Sequence, residues 1–240
     1  MDRVELVAPS GSNFRLLRQR IWSSDLYKWA RRMAAELTRP FRRLELCIIY
    51  SKDLTKPIAP FDAGVDVAIT LASAADQDEA AMLRLPPNPS RRELFKWRRE
   101  HDCVCFIARA GSKLVAYSWI RLRPGPEEGE MIALSEHEMY SFDLYVDDNW
   151  RGNRIYTALG TRSRIFCQER GCTAGYARVS VTNRKSQKAI RRGGWHATGL
   201  ALRVRRSHGG WPILGIWGAA HPLARLRRGT DQGYPHEANA

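Results

Sequence analysis

The segment from Tyr140 to Trp195 constrains the fold more than any other part of this 240-residue chain. It reads as a strand (Tyr140 to Val146), then a turn through Asp147-Asp148-Asn149-Trp150-Arg151-Gly152, then a helix running to about Arg170 and closed by Gly171. A second strand follows (Ala174 to Val181), then an Asn-containing turn and a helix from Lys185 to Arg192, stopped by Gly193-Gly194. A strand that turns through glycine into a helix leaves backbone N–H groups at the helix N-terminus without intrahelical acceptors. Such groups bind anions of phosphate size. Arg151 and Arg154 add charge-assisted donors for phosphate oxygens. The second junction, Val181 to Ala189, lies one strand later. Adjacent parallel strands would bring both junctions to the same edge of the sheet.

The flanking sequence supplies further strands and helices. Leu44 to Tyr50 and the alternating, β-branched run Val65 to Leu71 read as strands, and Ala74 to Leu85 reads as a helix. Pro86, Pro87 and Pro89 break the chain, and Ser90 with Glu93 forms a capping box for a charged helix over Arg91 to Glu100. Cys103 to Ala110 and Leu114 to Leu122 form a hairpin through Gly111-Ser112-Lys113, with Lys113, Arg121 and Arg123 as exposed positions. An acidic loop spans Pro124 to Gly129, and two last strands cover Thr198 to Arg205 and Pro212 to Trp217. Upstream, Trp22, Leu26, Trp29, Met33 and Leu37 recur at helical spacing. The division expected is a basic helical extension over residues 1–43, a domain over 44–220 and a basic, disordered tail over 221–240.

The charge is unusual. Lys and Arg total 39 against 25 Asp and Glu, a net +14, while a hydrophobic share of 44% excludes wholesale disorder. Such a chain attracts phosphates, whether of nucleic acid, an anionic membrane or a cofactor. Residues 1–43 hold ten basic and four acidic residues, so the helical stretch 13–39 is a candidate for peripheral membrane contact, with packing on the domain the favoured reading. Nucleic acid ranks lower, because the arginines are spread through the chain and no zinc-finger, RNP or KH pattern is present. The five cysteines form no CxxC pair and read as buried free thiols, so no metal site is expected and a reducing, cytoplasmic setting fits. No apolar stretch reaches the length of a membrane-spanning helix, and the N-terminus lacks the layout of a secretory signal.

The run Tyr145-Val146-Asp147-Asp148-Asn149-Trp150-Arg151-Gly152-Asn153-Arg154-Ile155-Tyr156 resembles the acyl-coenzyme A loop of the GCN5-related N-acetyltransferase (GNAT) superfamily, written [R/Q]-x-x-G-x-[G/A]. The later run Asn183-Arg184-Lys185-Ser186, followed by a short helix and Gly194-Trp195, resembles that family's Asn-x-x-[Ser/Ala] motif. The element order from Val65 to Trp217 follows the family as well. The sequence departs from the pattern at Arg154, where the family has Gly, and at Tyr156, where it has Gly or Ala. It departs again at Ile190, where many members carry a tyrosine that acts as general acid.

The resemblance implies an α+β fold, with a mixed, mostly antiparallel twisted sheet flanked by helices. It implies an acyl-CoA-dependent N-acyltransferase, with acetyl-CoA the default donor and an amine on a small molecule, sugar or peptide as acceptor. The backbone of Asp143 to Val146, including Leu144, would pair with the pantetheine arm. The N–H groups of Arg151, Gly152, Asn153, Arg154, Ile155 and Tyr156 would hold the pyrophosphate, and Asn183 and Ser186 would contact the arm or brace the strands. Asp143 is the first candidate for general base, read as sharing a face with Ser141 and Tyr145; Glu138 and His137 are further candidates. Tyr145 leads the candidates for acid, ahead of Tyr140 and Tyr156. The cationic cluster Arg178, Arg184, Lys185, Lys188, Arg191 and Arg192 reads either as a binder of the cofactor's 3′-phosphate or an anionic acceptor, or as a solvated helix face. Rival readings are a non-catalytic acyl-CoA- or partner-binding protein, transfer of a longer acyl or an aminoacyl group, and a basic nucleic-acid-binding module. Oligomeric state is not legible.

Overall fold

A computed structural model describes residues 44–84, 89–127, 130–132, 134–204 and 213–218. The expected N-terminal helices, the Pro86–Pro87 break and the basic tail lie outside the described residues. The chain divides into two units, Met1–Leu44 and Glu45–Ala240.

In chain order the elements are β1 (Leu44–Asp53), β2 (Ala68–Leu71), α1 (Ala74–Met82), α2 (Pro89–Glu100), β3 (Cys103–Ala110), β4 (Lys113–Arg121), β5 (Gly125–Glu127), β6 (Glu130–Ile132) and β7 (Glu138–Val146). A 3₁₀ turn, Asp148–Trp150, leads to α3 (Ile155–Gln168), then β8 (Ala174–Ser180), α4 (Arg184–Arg192), β9 (His196–Val204) and β10 (Ile213–Gly218). Eight strands form one sheet in the order β10-β9-β1-β8-β7-β4-β3-β2, and β5 pairs with β6 in a separate hairpin. β7 and β8 are parallel, whereas β2–β3, β3–β4, β4–β7, β1–β8 and β9–β10 are antiparallel.

Both faces of the central strands are buried, and the period of two assigns side chains to opposite cores. In β3, Cys105 and Ile107 pack with Phe95, Trp97 and Trp119 on the α1–α2 side. Phe106 and Ala108 pack with Leu159, Phe166 and Trp195 on the α3 side. In β1, Cys47 and Ile49 join the first core and Tyr50 the second. That double-sided pattern seats β1 inside the sheet, where Cys47 to Asp53 pair with Ser180 to Ala174 of β8.

Several expectations need correction. The second strand is short, because β3 offers partners only from Phe106 to Arg109 and the ladder starts at Ala68. Helix α2 begins at Pro89, whose fixed φ and missing N–H suit a first helical position, so Ser90 lies inside the helix. A capping box forms instead at the start of α1, where Ser73 Oγ accepts from the Asp76 N–H at 3.2 Å and Asp76 Oδ2 accepts from the Ser73 N–H at 2.8 Å. The acidic stretch read as a loop contains the β5–β6 hairpin. Arg121 is buried rather than exposed, and its Nη1 donates to the His101 carbonyl at 3.0 Å. Gly125 leaves it room, since a Cβ there would lie 2.0 Å from that Nη1. The five cysteines are free and buried, as read. Burial pushes the Cys47 thiol up to about 11, out of reach of neutral-pH chemistry.

Candidate functional site

The site begins where β7 leaves β8. The two strands pair from Glu138↔Ala174 to Ser141↔Ala177 and then separate. On its other side β7 stays with β4, but the register slips. Trp119 faces Phe142 and Tyr117 faces Tyr145, which gives β7 one extra residue. That extra residue is a β-bulge, and Asp143 within it has φ +43°, in the left-handed region. A non-glycine residue held there costs about 1–3 kcal/mol. The bulge breaks the alternation read from the sequence. Phe142 and Tyr145, three apart, both pack toward the α1–α2 core, so Ser141, Asp143 and Tyr145 do not form a simple face. Beyond the bulge, Leu144 to Val146 have β4 on one side and no described strand on the other. The opposite wall is β8, whose far edge is covered by β1.

The chain then turns into the first junction. Asp147 caps the 3₁₀ turn, its Oδ1 accepting from the Asn149 N–H at 2.9 Å. Gly152 has φ +90° and Arg154 φ +60°, so the arginine adopts the left-handed conformation that the glycine of the resembled loop would take without strain. Arg154 occupies the N-cap position of α3 with no side-chain cap. The first intrahelical bonds run from the Thr157 and Ala158 N–H groups to the Arg154 carbonyl. Among the described residues no acceptor lies in position for the N–H groups of Gly152, Asn153, Arg154, Ile155 and Tyr156. Five successive free donors with left-handed residues between them make a concave anion cradle, backed by the positive end of the α3 dipole. The loop before β2 braces it, since the Gly64 N–H donates to the Asn153 carbonyl at 2.9 Å. Arg151 folds back on the turn, with Nε donating to the Val146 carbonyl at 3.2 Å and Nη2 reaching Asp148 Oδ1 at 2.5 Å. Arg154 is exposed.

The second junction, at the end of β8, comes to the same sheet edge. Asn183 caps α4, with Oδ1 accepting from the Ser186 N–H at 3.1 Å. Gln187 donates to the Ser180 and Val181 carbonyls at 3.0 and 2.8 Å, tying the helix to the strand end. Arg184, Lys188, Arg191 and Arg192 line an open depression with Gln187. Ile190, at the position where the resembled family carries its tyrosine, is buried in the α3-side core with Trp195.

The candidate acid–base groups differ sharply in placement. The Asp143 carboxylate lies 2.5 Å from Arg98 Nη1 and 3.5 Å from Arg84 Nη2, and the Tyr117 hydroxyl donates to it at 3.5 Å. Burial works against its charge, but the Arg98 and Arg84 guanidiniums outweigh burial and hold the carboxyl below the usual carboxylate range. Glu138 sits at the entry of β7, bonded to the Ser135 N–H at 2.8 Å, five residue steps along the strand from Asp143, about 17 Å. His137 is nearby, its Nδ1 3.1 Å from the Gly171 carbonyl. Tyr140 is buried and stacked on Phe142. Burial pushes the Tyr156 phenol up to about 12. Tyr145 is half-buried on the stretch of β7 that has left β8, stacked on Tyr117 at 5.8 Å between centroids, with the Arg84 and Arg151 guanidiniums 5.1 and 5.7 Å from its ring.

Arg84 and Arg98 went unnoticed in the sequence. Arg98 lies in a stretch read only as a charged helix. Its signal is the apolar set Leu94, Phe95 and Trp97 around it, which marks one face of α2 as core.

The model of the GNAT acetyltransferase family matches residues 73–195, just over half of the chain. Among solved structures, a GCN5-related N-acetyltransferase from Sphaerobacter thermophilus is 16% identical, with a TM-score of 0.50 over 70% of this chain and 53% of that one. A GNAT-family protein from Novosphingobium aromaticivorans DSM 12444 is 17% identical, with a TM-score of 0.48 over 67% of this chain and 63% of that one. An aminoglycoside acetyltransferase from an uncultured soil metagenomic sample is 19% identical, with a TM-score of 0.43 over 53% of this chain and 86% of that one. The chain thus spans between half and two thirds of the first two structures' length. Among curated proteins none matches this sequence. With the bulged β7, the parting of β7 from β8 and the cradle at the head of α3 all lying within the matched residues, the chain belongs to the GNAT acetyltransferase family.

Proposed function

We propose that this protein transfers an acyl group, acetyl by default, from acyl-CoA to a primary amine of a small molecule, sugar or peptide. The observation that carries the reading is the row of five unpaired N–H groups, Gly152 to Tyr156, at the mouth of the gap between β7 and β8. The donor set fits a pyrophosphate, because it is rich in N–H groups and the two carboxylates of the preceding turn are engaged, Asp147 by the Asn149 N–H and Asp148 by Arg151. Leu144 to Val146 offer strand backbone to the amide-bearing pantetheine arm. Asn183 and Ser186 brace the facing helix, and the α4 cations take the 3′-phosphate. Acetyl-CoA supplies the thioester acyl group, which passes directly to the acceptor nitrogen as that nitrogen loses a proton and the thiol leaves.

The residues divide the remaining work. A strand N–H at Tyr145 or Val146 stabilises the developing oxyanion. Tyr145 is the proton donor to the departing thiolate, being the tyrosine on the stretch of β7 that has left β8. Asp143 is engaged by two guanidiniums, so proton removal from the acceptor runs through water rather than directly to a free carboxylate. Glu138 lies outside this constellation. Among the described residues no helix is long and apolar enough to cross a membrane, and membrane contact through residues 13–39 stays a proposal on sequence grounds.

Calorimetric titration with acetyl-CoA and CoA tests the reading, in the wild type and in Arg151→Ala. Micromolar binding weakened by Arg151→Ala is expected, because the turn loses its tie to Val146. Absence of binding to either ligand refutes it. Binding without thiol release across an amine panel selects the non-catalytic reading, which Ile190 motivates.

A further inference from the structure

We propose that Arg98 is the positioning residue of this site. By clamping Asp143 it holds the β7 bulge in its left-handed conformation, and so keeps Leu144 to Val146 parted from β8. The consequence for transfer rests on the acyltransferase reading; the clamp itself does not.

A non-glycine residue stays at φ +43° only where its surroundings over-determine it. The surroundings of Asp143 do so through its carboxylate, which meets Arg98, Arg84 and the Tyr117 hydroxyl, Arg98 nearest. Arg98 projects from α2 with 3% of its side chain exposed, and its Nη1 lies 2.5 Å from Asp143 Oδ2. Its guanidinium carbon is 4.9 Å from the centroid of Phe142 and 5.4 Å from those of Phe95 and Trp119. The cation therefore grips two successive residues of β7, one by its ring and one by its carboxylate. Phe95 and Trp119, themselves edge to face at 5.0 Å, fix the cation in place. An extended Asp143 would carry the carboxylate to the opposite face of β7, where Met139 and Val146 pack in an apolar core. Moving the carboxylate there would take it away from Arg98, Arg84 and Tyr117 into an apolar core, so these contacts select the bulged register over the regular one.

This assignment separates Asp143 from a general base. A base is silent until turnover. A clamp shapes the free protein, and its effect does not require the carboxylate itself to be altered. The experiment compares wild type, Arg98→Met, Asp143→Asn and the double variant. It reads melting temperature, acetyl-CoA affinity, kcat, and the backbone amide NMR signals of 142–146 in the free protein.

Arg98→Met is expected to lower the melting temperature, weaken acetyl-CoA binding, move those amide signals and lower kcat by about 100-fold, the cost of a displacement of about 1 Å near a reacting centre. The double variant is expected to regain part of the melting temperature, since both members of the Arg98–Asp143 pair are removed together, without regaining affinity or kcat. Recovery of all three in the double variant overturns the proposal. So do Arg98→Met amide signals that superimpose on those of the wild type. If Asp143→Asn alone loses kcat with affinity and amide signals unchanged, Asp143 is a base and the clamp is refuted. If the wild type binds no acetyl-CoA, the acyltransferase reading fails, and the amide signals and melting temperatures alone decide the clamp.

Discussion

The junctions β7–α3 and β8–α4 share a plan, since each runs from a parallel strand through a polar turn into a helix at one sheet edge. Their backbones end in opposite states. At the first, the N–H groups of Gly152 to Tyr156 find no acceptor among the described residues. At the second, Asn183, Arg184, Ser186 and Gln187 all donate within the turn, and among the described residues only the Lys185 N–H is left over. The difference follows from the residue before each helix. Asn183 has a short acceptor side chain and caps α4; Arg154 has none and leaves α3 open. A helix N-terminus is an anion site only when the chain has not already satisfied it. The same contrast distributes the donors, since the first junction offers backbone N–H groups and the second offers the α4 side chains.

Substitutions can break this comparison. The largest effect is expected from Gly152→Val, because a β-branched residue at φ +90° costs about 1–3 kcal/mol and collapses the cradle. Acetyl-CoA affinity by calorimetry should fall by about tenfold or more, and an unchanged affinity would remove the cradle from the binding site. Next, replacing Lys188 and Arg191 together by Ala should weaken acetyl-CoA binding several-fold while sparing dephospho-CoA. Equal losses for both ligands would mean that α4 does not read the 3′-phosphate. Asn183→Ala should cost about 1 kcal/mol of stability in denaturant yet leave acetyl-CoA affinity within about twofold, because it opens a cap rather than a cradle. Arg154→Gly relieves a left-handed side chain worth about 1–2 kcal/mol. It should raise the melting temperature, and it tests whether the exposed guanidinium contributes to affinity.

The smallest expected effect is on the acid limb of stability. Asp143 has a folded pKa below its unfolded value, so its contribution is complete above the ordinary carboxylate range and is lost as pH falls through that range toward the folded value. Asp143→Asn should flatten the stability–pH curve there and leave its shape near neutrality unchanged. An unaltered acid limb would mean that the Arg98–Asp143 pair is not coupled to folding.

Much of this was legible in the residues. Hydrophobic period and glycine punctuation mark β3, β4, β7, α3 and β8 to within a few residues, because those elements bury both faces of the sheet or one face of a helix. The turn Arg151–Tyr156 was legible as a glycine-containing entry to an open helix N-terminus, since both are local properties. The burial of Arg121 and Arg98 was not, because a guanidinium goes inside only when distant carbonyls, rings or carboxylates meet it. Nor was the short extent of β2, which its partner sets.

The sequence by itself determined the order of elements, the two strand–turn–helix junctions and the buried state of the thiols, since each depends on neighbours within a few residues. Tertiary structure alone decided that β1 would sit between β8 and β9, that β7 would gain a residue on β4 at Asp143, and that Arg98 would reach across from α2 to hold it. The physical reason is that a bulge changes which face every later side chain takes. The pairing that settles it is contributed by residues dozens of positions away, whose charge reads from sequence as surface.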